Sequence, residues 1–296
     1  MQITTAAVVA IATSALATQA QIASIDVATA TAAGNLGETG NAVLNGTFTE
    51  SFTARSLQWQ GTLNSAPNFF FFEEDVFASI QGQNGLGYTG PVAGEQGIFL
   101  GATPFSGWAS GFAPASVAGD WSFEAYTKGT AAGATNWTIE DADFTFDAAL
   151  FPDANPITTG TNLSTSLTEG QILWYSLDHL GGGLEISTQG SEIFELEGNI
   201  QVDDTLIALF DASGDLVEAN DDGPFGDFTS FLSFADLAAG DYHLAVTGST
   251  LGTRVGENFI ATSHDGEGTI QLSIAVPAPG TAAILAFAGI AARRRR

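Results

Sequence analysis

The 296-residue chain contains no cysteine. That absence excludes disulfides, thiolate metal sites and cysteine nucleophiles together. It is compatible with export, because a chain of this length can bury a core without covalent staples. Basic residues are nearly as scarce: seven Lys and Arg face 33 Asp and Glu, for a formal charge of −26. Four of the seven are the terminal Arg293, Arg294, Arg295 and Arg296, so only Arg55, Lys128 and Arg254 balance the body. Without the arginine tail the charge is about −30. Such a surface repels nucleic-acid phosphates and anionic membranes, which excludes both as lasting partners. It suits a medium rich in salt or divalent cations, where self-repulsion is screened.

Catalytic signatures are also missing. His179, His243 and His264 are scattered, and none belongs to an H-E-x-x-H spacing. There is no Gly-x-Ser-x-Gly, and the single lysine, Lys128, lies in no phosphate-binding loop. Glu73, Glu74 and Asp75 could supply the paired acids of a glycosidase, but strand alternation puts adjacent residues on opposite faces. A non-enzymatic role is therefore expected.

Between the termini no stretch shows an apolar period of 3.6. Short alternating runs bounded by Gly, Asn and Asp recur instead, which is the all-β pattern. They fall into two units, residues 44–149 and 162–275. Phe151-Pro-Asp-Ala-Asn-Pro and its turn-forming neighbours in 150–161 form the linker, and 21–43 is either a loose lead-in or one edge strand. In the first unit Trp121, Phe123 and Ala125 share one face at period two, as do Phe144 and Phe146. Gly119-Asp120-Trp121 and Gly240-Asp241-Tyr242 hold matching places, each with Gly-Asp at a turn and the aromatic entering the core. The expected fold is all-β: two tandem β-sandwich, jelly-roll-like domains, with an N-terminal signal helix and a short C-terminal apolar helix.

Both ends read as processing signals. Residues 1–20 carry an apolar run from Ala6 to Ala17 and small residues before Ala20, where signal peptidase cleavage is expected, although no Lys or Arg precedes the run. At the other end, the twelve residues from Thr281 to Ala292 would span about 18 Å as a helix, short of a ~30 Å hydrocarbon core. Membrane contact there is transient. Val276, Pro277, Ala278, Pro279 and Gly280, the apolar stretch and the four arginines together resemble the PEP-CTERM sorting signal in its VPAPG form. The resemblance implies processing near the prolines by an exosortase-type enzyme, and delivery to a bacterial cell surface or extracellular matrix.

The densest polar feature runs from Asp203 to Gly223. Leu206 to Phe210 reads as a strand, Asp211 to Gly214 as a tight turn, and Leu216 to Glu218 as the antiparallel partner. Asp203, Asp204, Asn220, Asp221 and Asp222 would then meet at the open end of the hairpin. Converging oxygen ligands suit Ca²⁺, although the spacing is not that of an EF-hand; the alternative is that these residues simply favour turns. Asp204, Leu209 to Val217, Asn220 to Gly223 and Leu237 to Val246 resemble bacterial pre-peptidase C-terminal (PPC) domains. That resemblance implies a jelly-roll sandwich, in some cases with calcium or polysaccharide, and no peptidase role. Val117 to Tyr126 and Asn136-Trp137 resemble the end of P-type sandwich domains.

Among the tryptophans, Trp108 sits among turn residues in Pro104-Phe-Ser-Gly-Trp-Ala-Ser-Gly111 and is the candidate for an exposed, sugar-stacking ring. His243, following Tyr242 in a strand, is expected on the solvent side. The function expected is a structural or adhesive surface protein. A glycan-binding module that recognises exopolysaccharide or surface glycans is the alternative, and a secreted hydrolase the more distant one.

Overall fold

The structure is a computed structural model that describes residues 21–65, 76–93, 102–113, 115–128, 137–151, 153–195, 200–223, 228–249, 253–264 and 266–277. The expected terminal helices, Ala20, Ala278, Pro279, Gly280, the terminal arginines and Glu73 to Asp75 lie outside these residues. Among the described residues every regular element is a strand.

Eight strands build the first sandwich: β1 (Ile22–Ala32), β2 (Val43–Phe48), β3 (Ser56–Ser65), β4 (Val76–Gly82), β5 (Gly87–Pro91), β6 (Ala102–Ala109), β7 (Gly119–Thr127) and β8 (Trp137–Asp147). Thirteen follow: β9 (Asn155–Ile157), β10 (Asn162–Leu167), β11 (Leu173–His179), β12 (Gly182–Ser187), β13 (Glu192–Glu195), β14 (Ile200–Gln201), β15 (Thr205–Asp211), β16 (Leu216–Asn220), β17 (Phe231–Leu237), β18 (Gly240–Gly248), β19 (Thr253–Gly256), β20 (Phe259–Thr262) and β21 (Glu267–Ala275). The first sandwich faces a β2-β7-β4-β5 sheet against β1-β8-β3-β6. The second faces β16-β15-β18-β11-β9 against β14-β13-β21-β12-β17, with β10 also on β21.

Alternation explains each core. In β8, Ile139, Phe144 and Phe146 turn inward to meet Trp59, Trp121 and Phe123 in the first sandwich. In the second, Ile207 and Leu209 of β15 meet Tyr175, Leu244, Ile186 and Ile274. The aromatic at the start of β7 and of β18 is buried in its own sandwich, as the repeated Gly-Asp-aromatic triplet predicts. Both rings are tied down alike. Trp121 Nε1 donates to the Val117 carbonyl at 2.6 Å, and the Tyr242 hydroxyl to the Ala238 carbonyl at 3.0 Å, each four residues upstream.

Of the two readings left open for 21–43 the edge strand is the one formed, and two further features depart from two beads on a linker. The stretch 21–43 contributes β1, an eleven-residue edge strand that pairs with β8 along its whole length. The linker contributes β9, parallel to β11. Most consequentially, the β19–β20 hairpin, which lies in the sequence of the second unit, pairs with β6 and extends the sheet of the first to six strands.

A third core joins the units. The outward face of β15 (Leu206, Ala208, Phe210), with Ala245 of β18, packs on Trp108 of β6 and Ile260 of β20. Phe151 and Trp174 complete it. Both faces of β15 are thus covered, which accounts for its unbroken apolar run. Four sheets stack face to face through three apolar layers.

Candidate functional site

The third core covers only part of the outer face of the first sandwich. Trp108 and Ile260 lie under it, whereas the outward residues of β3 and β8 remain open. Above them stand Thr168 to Ile172 and Trp174 of the second sandwich. The result is a cleft of about 960 Å³ between the two units. Its floor is polar by strand alternation: Gln58, Gln60 and Thr62 on β3; Asp141, Asp143, Thr145 and Asp147 on β8; Pro104 and Ser106 on β6. Glu169, Gln171, Asp153 and the half-buried Trp174 border it on the other side.

The floor carries a β-bulge. Gln60 pairs with Asp143 but Thr62 with Glu140, so β8 has one extra residue there. Asp141 absorbs it with φ of +48°, a left-handed conformation that Asp tolerates better than most residues. Gly61 lies beneath, facing the core: a Cβ on it would sit 2.6 Å from that of Ala142, so glycine lets the two strands approach at the bulge.

The walls are fixed. Ser106 Oγ donates to the Gly170 carbonyl at 2.5 Å, and Ser110 Oγ to that of Gly214 at 3.0 Å. Gly170 has φ of +63°, and a Cβ there would come within 2.6 Å of the Pro104 carbonyl oxygen, so glycine permits this approach. Trp174 is held from behind, 5.3 Å from Trp108 and 5.2 Å from Phe151 between ring centroids.

Electrostatically the cleft is one-sided. Asp143 lies directly opposite Asp26 of β1. Burial raises its affinity for a proton, the Asp26 charge adds to this, and the Thr145 hydroxyl, donating at 2.8 Å, partly offsets it. Asp147 is buried and raised as well, first by burial and then by the Asp153 charge, against the opposing hydrogen bond from the Ala149 N–H at 2.6 Å.

The residues singled out from sequence lie elsewhere. Trp108 is not exposed: it is 1% accessible, donates Nε1 to the Leu150 carbonyl at 2.8 Å, and stacks on Phe151 with centroids 4.6 Å apart. Its neighbours in sequence do favour turns, but β6 extends through them, and the second sandwich covers the ring. No face is left for a sugar. Of the five tryptophans only Trp174 keeps a partly open surface. His243 is likewise not on a free surface; it stacks on Phe151 at 3.8 Å, and burial holds its pKa below the usual value.

The acidic hairpin forms as read, with β15 and β16 joined by Asp211 to Gly214. Its ends do approach, since the Ser249 N–H donates to the Asp204 carbonyl at 3.2 Å and its hydroxyl donates to Asp221 Oδ2 at 3.5 Å. The carboxylates do not converge, however. Asp203, at φ of +51°, accepts from the Ile193 N–H and from Gln201 Nε2. Asn220 Oδ1 closes a turn by accepting the Asp222 N–H at 2.6 Å. Among the described residues no three His, Cys, Asp or Glu side chains are grouped to hold a metal ion. Of the residues expected to hold Ca²⁺, Asp203, Asp204, Asn220, Asp221 and Asp222, two thus have side chains engaged in local hydrogen bonds, Asp203 with Ile193 and Asn220 with Asp222. Of the processing motif, Val276 is exposed directly after β21 and Pro277 follows it, beside Gly183.

Sequence reading missed the cleft, because its residues look individually like the solvent faces of ordinary strands. One available signal was the apolar run Leu206 to Phe210, which marks a strand covered on both sides and hence a second packing partner.

No family model matches the chain, and no curated protein matches it. Among solved structures it is similar to the pre-peptidase C-terminal domain of collagenase from Bacillus anthracis, at 17% identity and a TM-score of 0.28, covering 41% of this chain and 94% of that one. It is also similar to the N-terminal CBM22-1–CBM22-2 tandem domain of Xyn10C from Paenibacillus barcinonensis, at 11% identity, TM-score 0.28, 92% of this chain and 91% of that one. A third is PNGF-II, at 10% identity, TM-score 0.27, 85% of this chain and 65% of that one.

Proposed function

We propose that the protein is an exported, non-enzymatic glycan-binding module of a bacterial cell surface or extracellular matrix. In this reading a signal peptidase removes the leader, and an exosortase-type enzyme processes the tail that starts at Val276. The body then holds a chain of exopolysaccharide or surface glycan in the interdomain cleft. The observation that supports it best is the cleft itself: a rigid floor of amides, hydroxyls and carboxylates beside the partly open ring of Trp174. Sugar rings are bound by such a combination of a stacking surface and fixed polar groups. The seven residues from Asp141 to Asp147 extend about 20 Å along β8, enough for a short oligosaccharide.

A panel of immobilised neutral, acidic and amine-bearing polysaccharides tests this. The chain should retain at least one of them, and Trp174→Ala should weaken retention about tenfold. Retention of none, or retention untouched by Trp174→Ala, would rule the reading out.

One observation favours hydrolysis as a second reading. Asp141 and Asp143 both border the cleft, and a pair of carboxylates is what a glycosidase works with. New reducing ends in the retained polysaccharide after incubation, lost in Asp143→Asn, would establish it.

A further inference from the structure

We propose that the glycan selected by this cleft carries protonated amines, as a partly deacetylated amino-sugar chain does; the inference rests on the glycan reading above. Among the described residues no Lys, Arg or His lines the cleft, whereas five carboxylates do: Asp141, Asp143, Asp147, Asp153 and Glu169. Like charges directly opposite one another in a sheet destabilise it, and Asp143 faces Asp26 in that way. These charges share one concave site, where fields of a single sign add rather than average out. A uronate or sulfated chain is repelled. A neutral chain gains only stacking and ordinary hydrogen bonds. An amine-bearing chain adds charge-assisted hydrogen bonds to the same aromatic contact, and its approach is steered by the acidic surface.

The bulge sharpens the choice. Asp141 would lose backbone strain as glycine, and Asn tolerates the same left-handed conformation without a charge. A carboxylate at this position brings a second negative charge within two residues of Asp143, on the floor where a sugar ring would lie.

The test uses the full chain and four probes of matched length: glucosamine oligomers, N-acetylglucosamine oligomers, oligogalacturonate and oligolysine. Affinities are measured by calorimetry at low and high salt. Glucosamine oligomers should bind about tenfold more tightly than the N-acetylated ones. That advantage should shrink with salt, and oligogalacturonate should not bind. The double variant Asp141→Asn, Asp143→Asn should erase the advantage, bringing the glucosamine affinity down to that of the N-acetylated oligomers; its melting point reports whether it is folded. Trp174→Ala should weaken both sugars.

Equal binding of the two amino-sugar chains, or tightest binding of the uronate, would overturn the inference and leave the glycan reading standing. Oligolysine binding as well as glucosamine oligomers, insensitive to the double variant, would also overturn it, because the attraction would then belong to the acidic surface at large. If no polysaccharide binds, neutral ones included, the glycan reading itself fails.

Discussion

Strands β7 and β18 begin alike and end in different surroundings. Each opens on Gly-Asp-aromatic, buries the ring in its own sandwich and ties the polar atom of that ring to a carbonyl four residues upstream. The next outward positions diverge. On β7 they are Ser122 and Glu124, half-exposed, with Glu124 accepting the Gly37 N–H and Asn41 Nδ2. On β18 they are His243 and Ala245, the one stacked on Phe151 and the other fully buried against the first sandwich. The local device that anchors a strand is thus independent of what covers its outer face. The outer face alone distinguishes a sheet that meets water from one that meets a neighbouring domain.

Exchanging the outward residues is the most direct way to break this comparison. Ala245→Glu would bury an unpaired carboxylate in the layer between the sandwiches. It should cost several kcal/mol or prevent soluble folding. The reverse exchange, Glu124→Ala, removes two hydrogen bonds to a charged acceptor and should cost about 1–2 kcal/mol. Chemical denaturation of both variants checks the asymmetry; similar costs would mean that the two outer faces are equivalent.

Trp108→Ala comes next. It empties the centre of the interdomain layer and leaves the Leu150 carbonyl without its donor, at about 3–5 kcal/mol. Calorimetry should then resolve two transitions where one is expected of the wild type, because the sandwiches keep their own cores. Tyr242→Phe tests the shared device instead. Losing the bond to Ala238 should cost about 1 kcal/mol without separating the transitions.

The smallest effect expected is with pH. Burial lowers the pKa of His243, so its neutral form stabilises the fold above the ordinary histidine value of about 6.5. That contribution is lost as pH falls from there through the lower folded value. Asp143 and Asp147 act in the opposite sense, since carboxyls with raised pKa take up protons more readily folded than unfolded. The melting points of wild type and His243→Gln at pH 7.5 and 5 therefore need to be compared as a difference. The variant should lose less on acidification; an identical loss would show that the Phe151 stack is indifferent to the charge on the ring.

Much of the fold was legible. Alternation in β8 and in Trp121 to Ala125 marked the core of the first sandwich, and Gly-Asp-aromatic marked both strand starts. The turn at Asp211 to Gly214 marked the β15–β16 hairpin. The candidate site was not legible at all. Trp108 drew attention as a surface ring because Pro, Ser and Gly surround it, and those residues report a local backbone preference that sheet pairing with β3 and β20 overrides. Gln58, Gln60, Asp141 and Asp143 drew none, since a polar residue facing a cleft and one facing open water obey the same alternation.

By itself the sequence determined that the chain is all-β, acidic and free of cysteine, and which side of most strands turns inward. These are consequences of side-chain period and turn chemistry, both of which act within a few residues. Only the tertiary structure decided that β19 and β20 join the other domain's sheet, that Trp108 is covered, and that the uncovered remainder of that face becomes a cleft. Those outcomes depend on contacts between residues more than a hundred positions apart, such as Ile260 with Trp108, and no local periodicity encodes which of two outward faces will find a partner.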